Sequence, residues 1–311
     1  MGHWRKTLRW RVEIVPVVLC RALLCALPFR AAFAIARGLG RILHFLLPGR
    51  VRLARFNLAF ALRRAPDDPE VVAVVRKSFE HLVLVLVELL LLKRRMASRS
   101  PETILEVHGI EKLHARRGQG CVIATGHLGN WEILGALAPV LGVPLTSVGR
   151  RIENPLLDAA INDLRTRFGQ KIVDKDGATL RIAREIKGGS NVALLLDQHA
   201  GRRGVQVEFL GRPASTFPTA AYLARRFDVP VIPIVSRRRG EPLTIHATVL
   251  EPIHADPSLP EDEDVYRITL AINRALQSAI LECPEQYLWL HRRWKGGGRE
   301  SSPDWVARYA P

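Results

Sequence analysis

Residues 121–132 read CVIATGHLGNWE, and this stretch decides the architecture around it. The apolar run 121–124, rich in β-branched side chains and followed by a glycine, predicts a buried strand, and residues 131–141 predict the helix that follows. His127 is therefore expected in a strand-to-helix turn, with Glu132 in the first helical turn. On one continuous helix a separation of five would hold the two side chains roughly 140° apart. With His127 in the turn, the Glu132 carboxylate is expected to fold back onto the imidazole.

A histidine with a carboxylate partner is suited to acyl transfer onto a hydroxyl. His127 would take the hydroxyl proton as the oxygen attacks, and Glu132 would fix the tautomer and stabilise the imidazolium. This chemistry needs no nucleophilic serine or cysteine. A lone histidine beside a glycine turn is more often an ordinary polar residue, so the assignment depends on the rest of the chain.

The stretch GHLGNWE at residues 126–132 resembles the His-x-x-x-x-Asp/Glu signature of the glycerolipid acyltransferase superfamily. Its form is similar to that of the late acyltransferases of lipid A biosynthesis, the lauroyl/myristoyl transferase family. Further segments resemble the other blocks of that family in the same order: GRRIENP at 149–155, LLDQHAG at 195–201, VPVIPI at 229–234 and PEQYLWLHRRWK at 284–295. The resemblance covers residues from about 20 to 295 and implies a glycerolipid acyltransferase-like fold.

Charge is distributed unevenly along the chain. The 311 residues carry a net charge of +16, and residues 1–64 contain thirteen Lys and Arg against the single acid Glu13. A basic segment of this kind indicates an anionic partner, either membrane lipid or nucleic acid. Apolar runs separate the basic residues, which favours an anionic membrane surface and argues against nucleic acid.

The N-terminal apolar runs are interrupted by Arg21, Arg30 and Arg37 before they reach the eighteen or so uncharged residues of a typical transmembrane helix. An interfacial or shallowly inserted helix pair, with the arginines extended toward anionic headgroups, is the favoured arrangement. A single span with Arg21 inside it is the alternative. No small-residue cleavage site follows a clean apolar core, so a removed signal peptide is not expected.

From residue 101 onward, short apolar runs alternate with longer amphipathic ones. This alternation predicts an α/β fold with a mostly parallel central sheet and helices on both faces. The expected organisation is a basic, apolar, membrane-associated helical region at 1–65, an α/β acyltransferase domain at 66–295 and a mobile C-terminal tail at 296–311. Sites in such sheets lie beyond the carboxyl ends of the strands, where His127 and Asp197 are both expected.

Substrate-binding candidates follow two of the predicted strands. Arg150 and Arg151 precede Asn154 at an expected helix start, where guanidinium groups could bind a phosphate held near helix N–H groups. The resemblance favours this pair over solvated loop arginines. Asp197 ends a wholly apolar strand and would orient the two residues after it, contact an acceptor sugar or serve the loop structurally. Arg212 is a weaker phosphate candidate.

The resemblance implies transfer of a fatty acyl chain from an acyl carrier protein thioester to a hydroxyl of a phosphorylated lipid acceptor, a lipid A precursor, at the cytoplasmic face of the bacterial inner membrane. The alternatives are an acyltransferase acting on another membrane lipid, a glycolipid or lysophospholipid, and a non-catalytic basic membrane-binding protein. No cofactor is expected. No metal site is expected either, because the cysteines and histidines show no metal-ligand spacing along the chain.

Overall fold

The computed structural model describes residues 3–175, 177–240 and 243–295. The expected tail at 296–311 lies outside these residues. The helices are α1 His3–Ala26, α2 Phe29–Leu46, α3 Pro48–Leu62, α4 Pro69–Met96, α5 Pro101–Ile104, α6 Glu111–His114, α7 Trp131–Leu137, α8 Pro155–Thr166, α9 Ala178–Lys187, α10 Thr219–Phe227 and α11 Glu261–Glu282. The strands are β1 Leu105–His108, β2 Val122–Thr125, β3 Leu145–Gly149, β4 Lys171–Asp174, β5 Asn191–Leu195, β6 Val205–Phe209, β7 Arg212–Thr216, β8 Val231–Arg238 and β9 Ile245–Val249.

Seven strands form the central sheet in the order β1-β9-β8-β2-β5-β3-β4. Every neighbouring pair is parallel except β8 and β9, so the expected mostly parallel α/β sheet is confirmed. β6 and β7 form a separate antiparallel pair. Because β2 and β5 are parallel neighbours, with Thr125 opposite Leu195, the residues that follow these two strands meet at one edge of the sheet.

Both faces of the sheet are covered, as alternate residues of β2 show. Val122 and Ala124 pack into a core with side chains of α9, α10 and α11, whereas Ile123 packs into a second core with α4 and α7. Successive side chains of a strand point to opposite faces, so a strand buried on both faces must be apolar throughout. This explains the continuous apolar run that precedes His127.

The N-terminal helices pack against the rest of the structure through α4, which contacts α1, α2 and α3. The start of α4 is fixed locally: the Asp68 carboxylate accepts a hydrogen bond from the Glu70 N–H at 2.8 Å, and Pro69 occupies the first helical position. Within the described part of the chain, α2 and α3 together have the length and hydropathy of a membrane span, but they are bent by 96°, and no single helix meets that test.

Candidate active site

The carboxylate that contacts His127 belongs to Asp197. The side-chain Nδ1 of His127 lies 2.7 Å from Asp197 Oδ1, and the His127 backbone N–H donates to Asp197 Oδ2, also at 2.7 Å. His127 is the second residue after β2, and Asp197 is the second residue after β5. The parallel pairing of these strands therefore brings the two residues together. Gly126 leaves room for this contact, since a Cβ there would lie only 3.1 Å from Asp197 Oδ2.

The two groups stabilise each other's charged form. Burial by itself lowers the pKa of His127, but the charge and hydrogen bond of Asp197, with a contribution from the charge of Glu132, outweigh it and the pKa is raised. Burial likewise favours neutral Asp197, yet the contacts with His127 and the charge of Arg293 leave the pKa of this carboxyl lowered. An ionised carboxylate therefore holds the imidazole, a base with its partner.

The contact with Asp197 also selects the tautomer. A carboxylate only accepts hydrogen bonds, so Nδ1 carries the proton and Nε2 has the lone pair that a general base needs. The amide nitrogen of Gln198 lies 3.4 Å from Nε2, and the ring of Trp131 packs edge-on against the imidazole at 4.9 Å between centroids. The His127 side chain is 14% exposed, which leaves a narrow access to it.

Glu132 does not take the position expected from the sequence. Its carboxylate accepts hydrogen bonds from Arg165 Nε at 2.7 Å and Arg165 Nη2 at 2.5 Å, and none joins it to His127 among the described residues. The first turn of α7 directs Glu132 toward α8, which carries Arg165, while Asp197 already occupies both donors of His127. The predicted contact between His127 and Glu132 is therefore wrong, because the carboxylate beside the imidazole is that of Asp197. Glu132 acts on the imidazole only through its charge.

The C-terminal segment covers the turn that holds His127. The Leu288 N–H donates to the His127 carbonyl at 3.1 Å, and the Gly129 N–H donates to the Gln286 carbonyl at 3.1 Å. Tyr287 is buried beside Asp197, and burial, followed by the charge of that carboxylate, raises the pKa of its hydroxyl well above the usual value. These contacts give this segment a structural role in positioning the turn that carries His127.

The same segment supports the loop after β5. The His199 N–H donates to His291 Nε2 at 2.9 Å. Arg293, which is 2% exposed, donates to the Ser215 carbonyl at 2.7 Å and to Thr216 Oγ1 at 2.6 Å. Through these bonds the segment 284–295 connects the loop that carries Asp197 to strand β7.

A buried polar network fixes the other side of the turn. Glu88 of α4 is fully buried and accepts from Arg238 Nε at 2.7 Å, Arg238 Nη2 at 2.6 Å and Asn130 Nδ2 at 2.7 Å. His81 contacts the Gly129 carbonyl through Nε2 at 2.8 Å and Arg238 Nη1 through Nδ1 at 2.7 Å. Burial and then Arg238 lower the pKa of His81 to about 3, so His81 is neutral and accepts from the arginine.

No pattern in the sequence marked Glu88, His81 or Arg238 as part of the site. Their partners are distant along the chain, so no local pattern marks them. Arg165 could not be singled out either, because it lies inside an amphipathic helix among other charged residues.

The candidate phosphate ligands are not gathered around His127. Arg150 is exposed and has no ion pair with another described residue, whereas Arg151 pairs with Asp174. Both follow β3, which β5 separates from β2, so they lie about two strand spacings, roughly 10 Å, along the sheet from the His127 turn. Arg212 lies on β7, where its guanidinium packs over the Phe60 ring at 5.1 Å.

Asn154 is buried and occupied by structural contacts. Its Oδ1 caps α8 by accepting from the Leu156 N–H at 2.9 Å, and its Nδ2 donates to Glu13 Oε2 at 2.9 Å and to the Trp10 carbonyl at 3.1 Å. The side chain therefore joins α1 to the start of α8. A substrate could reach Asn154 only by breaking these bonds.

Comparison with known proteins identifies the family of the chain. The model of the bacterial lipid A biosynthesis acyltransferases matches residues 3–296. The lipid A biosynthesis lauroyltransferase of Escherichia coli K12 is 27% identical over 281 residues, 88% of each chain. A lipid A biosynthesis acyltransferase of Haemophilus influenzae is 25% identical over 292 residues, 92% of this chain and 91% of the relative.

A second H. influenzae lipid A biosynthesis acyltransferase is 25% identical over 201 residues, 64% of this chain, and the match spans 60% of that relative's length. The resemblance drawn from the sequence blocks is thus confirmed at the level of the family. Because the family model covers nearly the whole chain, the protein belongs to the bacterial lipid A biosynthesis acyltransferase family.

Proposed function

We propose that the protein transfers a fatty acyl chain from an acyl carrier protein thioester to a hydroxyl of a lipid A precursor. The observation that carries the proposal is the buried His127–Asp197 pair at the carboxyl edge of the sheet, whose contact leaves Nε2 of the imidazole unprotonated. Family membership supports acyl transfer onto lipid A. We further propose that the donor is the carrier-protein thioester and that His127 is the base.

In the proposed reaction, His127 Nε2 removes the acceptor hydroxyl proton as the oxygen attacks the thioester carbonyl carbon. Asp197 stabilises the imidazolium that forms. Collapse of the tetrahedral intermediate breaks the carbon–sulfur bond, and the imidazolium returns its proton to the departing thiolate. The products are the ester and the free carrier thiol, so no covalent enzyme intermediate and no cofactor are required.

The N-terminal helices support the proposed location at an anionic membrane surface, the cytoplasmic face of the inner membrane. Among the described residues, seventeen of the twenty-five exposed large apolar side chains lie between Trp4 and Phe60, in the same region as the thirteen basic residues. Exposed apolar and basic side chains together are typical of interfacial helices. Phe45 is the most exposed of these apolar side chains, at 82%.

A groove near the break between α2 and α3 supports an amphiphilic anion as the acceptor. It has a volume of about 580 Å³ and is lined by apolar Leu46 and Phe56 and by Arg50, Arg52 and Arg292. Apolar side chains suit acyl chains, and arginine suits phosphate oxygens because its planar guanidinium can bind two of them at once.

The membrane part of the proposal is tested by flotation of the full-length protein with vesicles containing anionic phospholipid. Phe45→Glu should weaken binding, and Leu180→Glu, at a position on α9 that is 71% exposed, should not. High salt should release the protein only in part, because apolar insertion is not screened. Unchanged binding by Phe45→Glu would place the membrane contact elsewhere.

Phosphate recognition is tested by Arg150→Lys on a phosphorylated acceptor and on its dephosphorylated form. Lysine keeps the charge but loses the bidentate geometry, so apparent affinity should fall by about tenfold on the phosphorylated acceptor alone, given roughly 1.5–3 kcal/mol per charge-assisted bond. Equal losses on both acceptors would exclude a phosphate contact by Arg150.

The function itself is tested by incubating the purified protein with acyl carrier proteins of several acyl lengths, the matching coenzyme A thioesters and a panel of lipid acceptors. Mass spectrometry should find an ester on the lipid A precursor, formed faster from the carrier-protein donor. An ester found only on a glycolipid or lysophospholipid would favour the alternative acceptor. No product from any pair would favour a membrane-binding protein without catalysis.

A further inference from the structure

Three potential metal ligands meet on one face of the sheet, away from the candidate active site. Glu106 and His108 of β1 and His246 of β9 each place a ligand atom within 4.8 Å of the other two. β1 and β9 are parallel, with Glu106 directly opposite His246, and His108 lies two residues beyond Glu106 on the same face. The strand pairing therefore brings His246 to residues 138 and 140 positions before it in the chain, which explains why spacing along the sequence gave no sign of the cluster.

Two of the three ligand pairs in the cluster already have the separation found in a metal site. Glu106 Oε1 lies 3.1 Å from His108 Nε2, and Glu106 Oε2 lies 3.2 Å from His246 Nδ1. Bonds of 2.0–2.1 Å at tetrahedral angles put neighbouring ligand atoms about 3.3–3.4 Å apart. The third pair is wider: the His108 and His246 rings are stacked with centroids 6.3 Å apart, and the ligand atoms of the cluster lie within 4.8 Å of one another. Binding one zinc ion would therefore require the two imidazoles to turn toward each other and toward the Glu106 carboxylate.

The surroundings leave room for the ion and for water. The side chains of Glu106 and His108 are 50% and 62% exposed, and that of His246 is 20% exposed. On the opposite face, Leu105, Ile245 and Ala247 are buried in the core and hold the strands in register. The ligands thus project from the sheet into solvent, where water can supply a fourth ligand.

We propose that Glu106, His108 and His246 form a binding site for a divalent transition-metal ion of the Zn²⁺ class. Two imidazoles and one carboxylate match Zn²⁺ better than Mg²⁺ or Ca²⁺, which prefer all-oxygen sites. The ion would join edge strand β1 to β9. Strands β8 and β9 separate β1 from β2, so the site is distinct from the His127 turn.

The test uses the full-length protein without a polyhistidine tag, stripped of metal by chelator dialysis and titrated with Zn²⁺ against a chromophoric chelator. One equivalent should bind. His108→Ala, His246→Ala and Glu106→Gln should each weaken that binding by more than about tenfold, since loss of a ligand costs at least as much as loss of an outer-shell partner. His254→Ala, an exposed histidine outside the cluster, is the matched control and should bind as the wild type does.

A second readout separates metal binding from damage to the fold. Saturating Zn²⁺ should raise the thermal unfolding temperature of the wild type and of His254→Ala, because a ligand bound only to the folded state stabilises it. It should not raise that of the His108→Ala/His246→Ala double variant, whose unfolding temperature without metal should match the wild type. Failure of the wild type to bind one equivalent, or equally tight binding by the double variant, would overturn the proposal and leave an exposed ion-pair cluster.

Discussion

Replacing Asp197 by asparagine is the sharpest perturbation of the candidate active site, because it keeps the shape of the side chain and removes its charge. Asp197 accepts two hydrogen bonds from His127, one from the backbone N–H and one from Nδ1–H. Asparagine has one acceptor oxygen and one donor nitrogen, so it cannot satisfy both donors. If the amide nitrogen meets the ring, the imidazole must carry its proton on Nε2 and can no longer act as the base.

The size of the loss follows from the geometry. An imidazolium and a carboxylate in contact at 2.7 Å bring their charges to about 3 Å, and at an effective dielectric constant of about 20 they attract by roughly 5 kcal/mol. This attraction is the upper limit of what Asp197 contributes to stabilising the imidazolium. At 1.36 kcal/mol per factor of ten, it corresponds to nearly four orders of magnitude in rate. We expect Asp197→Asn to slow acyl transfer by about 10³–10⁴-fold.

The pH profile distinguishes loss of the base from general damage. In the wild type the pKa of His127 is raised above 6.5, so transfer should rise with pH along a limb centred above that value. Without the carboxylate, burial of the imidazole is opposed only by Glu132, and the pKa should fall. The limb should therefore move to lower pH in Asp197→Asn while the plateau drops.

The assay is initial-rate acyl transfer by mass spectrometry across pH, with circular dichroism to show that the variant is folded. The two interacting groups titrate as a pair, so the apparent pKa belongs to the dyad. A folded Asp197→Asn protein with a rate within tenfold of the wild type and an unmoved limb would refute the role given to Asp197.

Two further substitutions test other parts of the site. Glu132→Gln should destabilise the protein by about 1–3 kcal/mol, because it leaves Arg165 without its charged partner, but should slow transfer far less than Asp197→Asn. Equal damage to the rate in a stable protein would give Glu132 a direct part in the chemistry. Gly129→Ala should lower the unfolding temperature by several degrees, since Gly129 has φ +61° and an added Cβ would lie 2.1 Å from the Ser236 carbonyl oxygen. Gly38→Ala, in a helix with open space around the added Cβ, should have no such effect, and equal results for both glycines would contradict the packing argument.

The parts of the fold that could be predicted from the sequence are those set by local chemistry. The start of α4 follows from the cap at Asp68 and the proline after it. The strand before His127 follows from its unbroken apolar run. Periodicity and capping depend on neighbours within a few residues, so one chain is enough to read them.

Two features of strand pairing could not be predicted from local composition. β7 has the sequence RPAST, with one β-branched residue, Thr216, and no aromatic residue, and it forms by pairing with β6. The antiparallel direction of β9 is decided by its short connection to β8.

The candidate site combines one residue that the local sequence identifies with a partner that is distant along the chain. His127 was identified from its turn, whereas its carboxylate partner lies 70 residues away, and the nearer Glu132 was the only partner that spacing could suggest. Asp197 was expected at the same edge of the sheet as His127, but its contact with the imidazole depends on the register between β2 and β5.

The central claim, that His127 is the base of an acyl transfer, is tested most directly by a single-turnover measurement. Full-length His127→Ala and His254→Ala proteins would be mixed in excess with an acyl carrier protein thioester and the lipid A precursor, and the ester product followed by mass spectrometry. The claim predicts wild-type transfer by His254→Ala and a loss of about 10²–10⁴-fold by folded His127→Ala, the range that general-base catalysis contributes. Transfer at the wild-type rate by folded His127→Ala would contradict it.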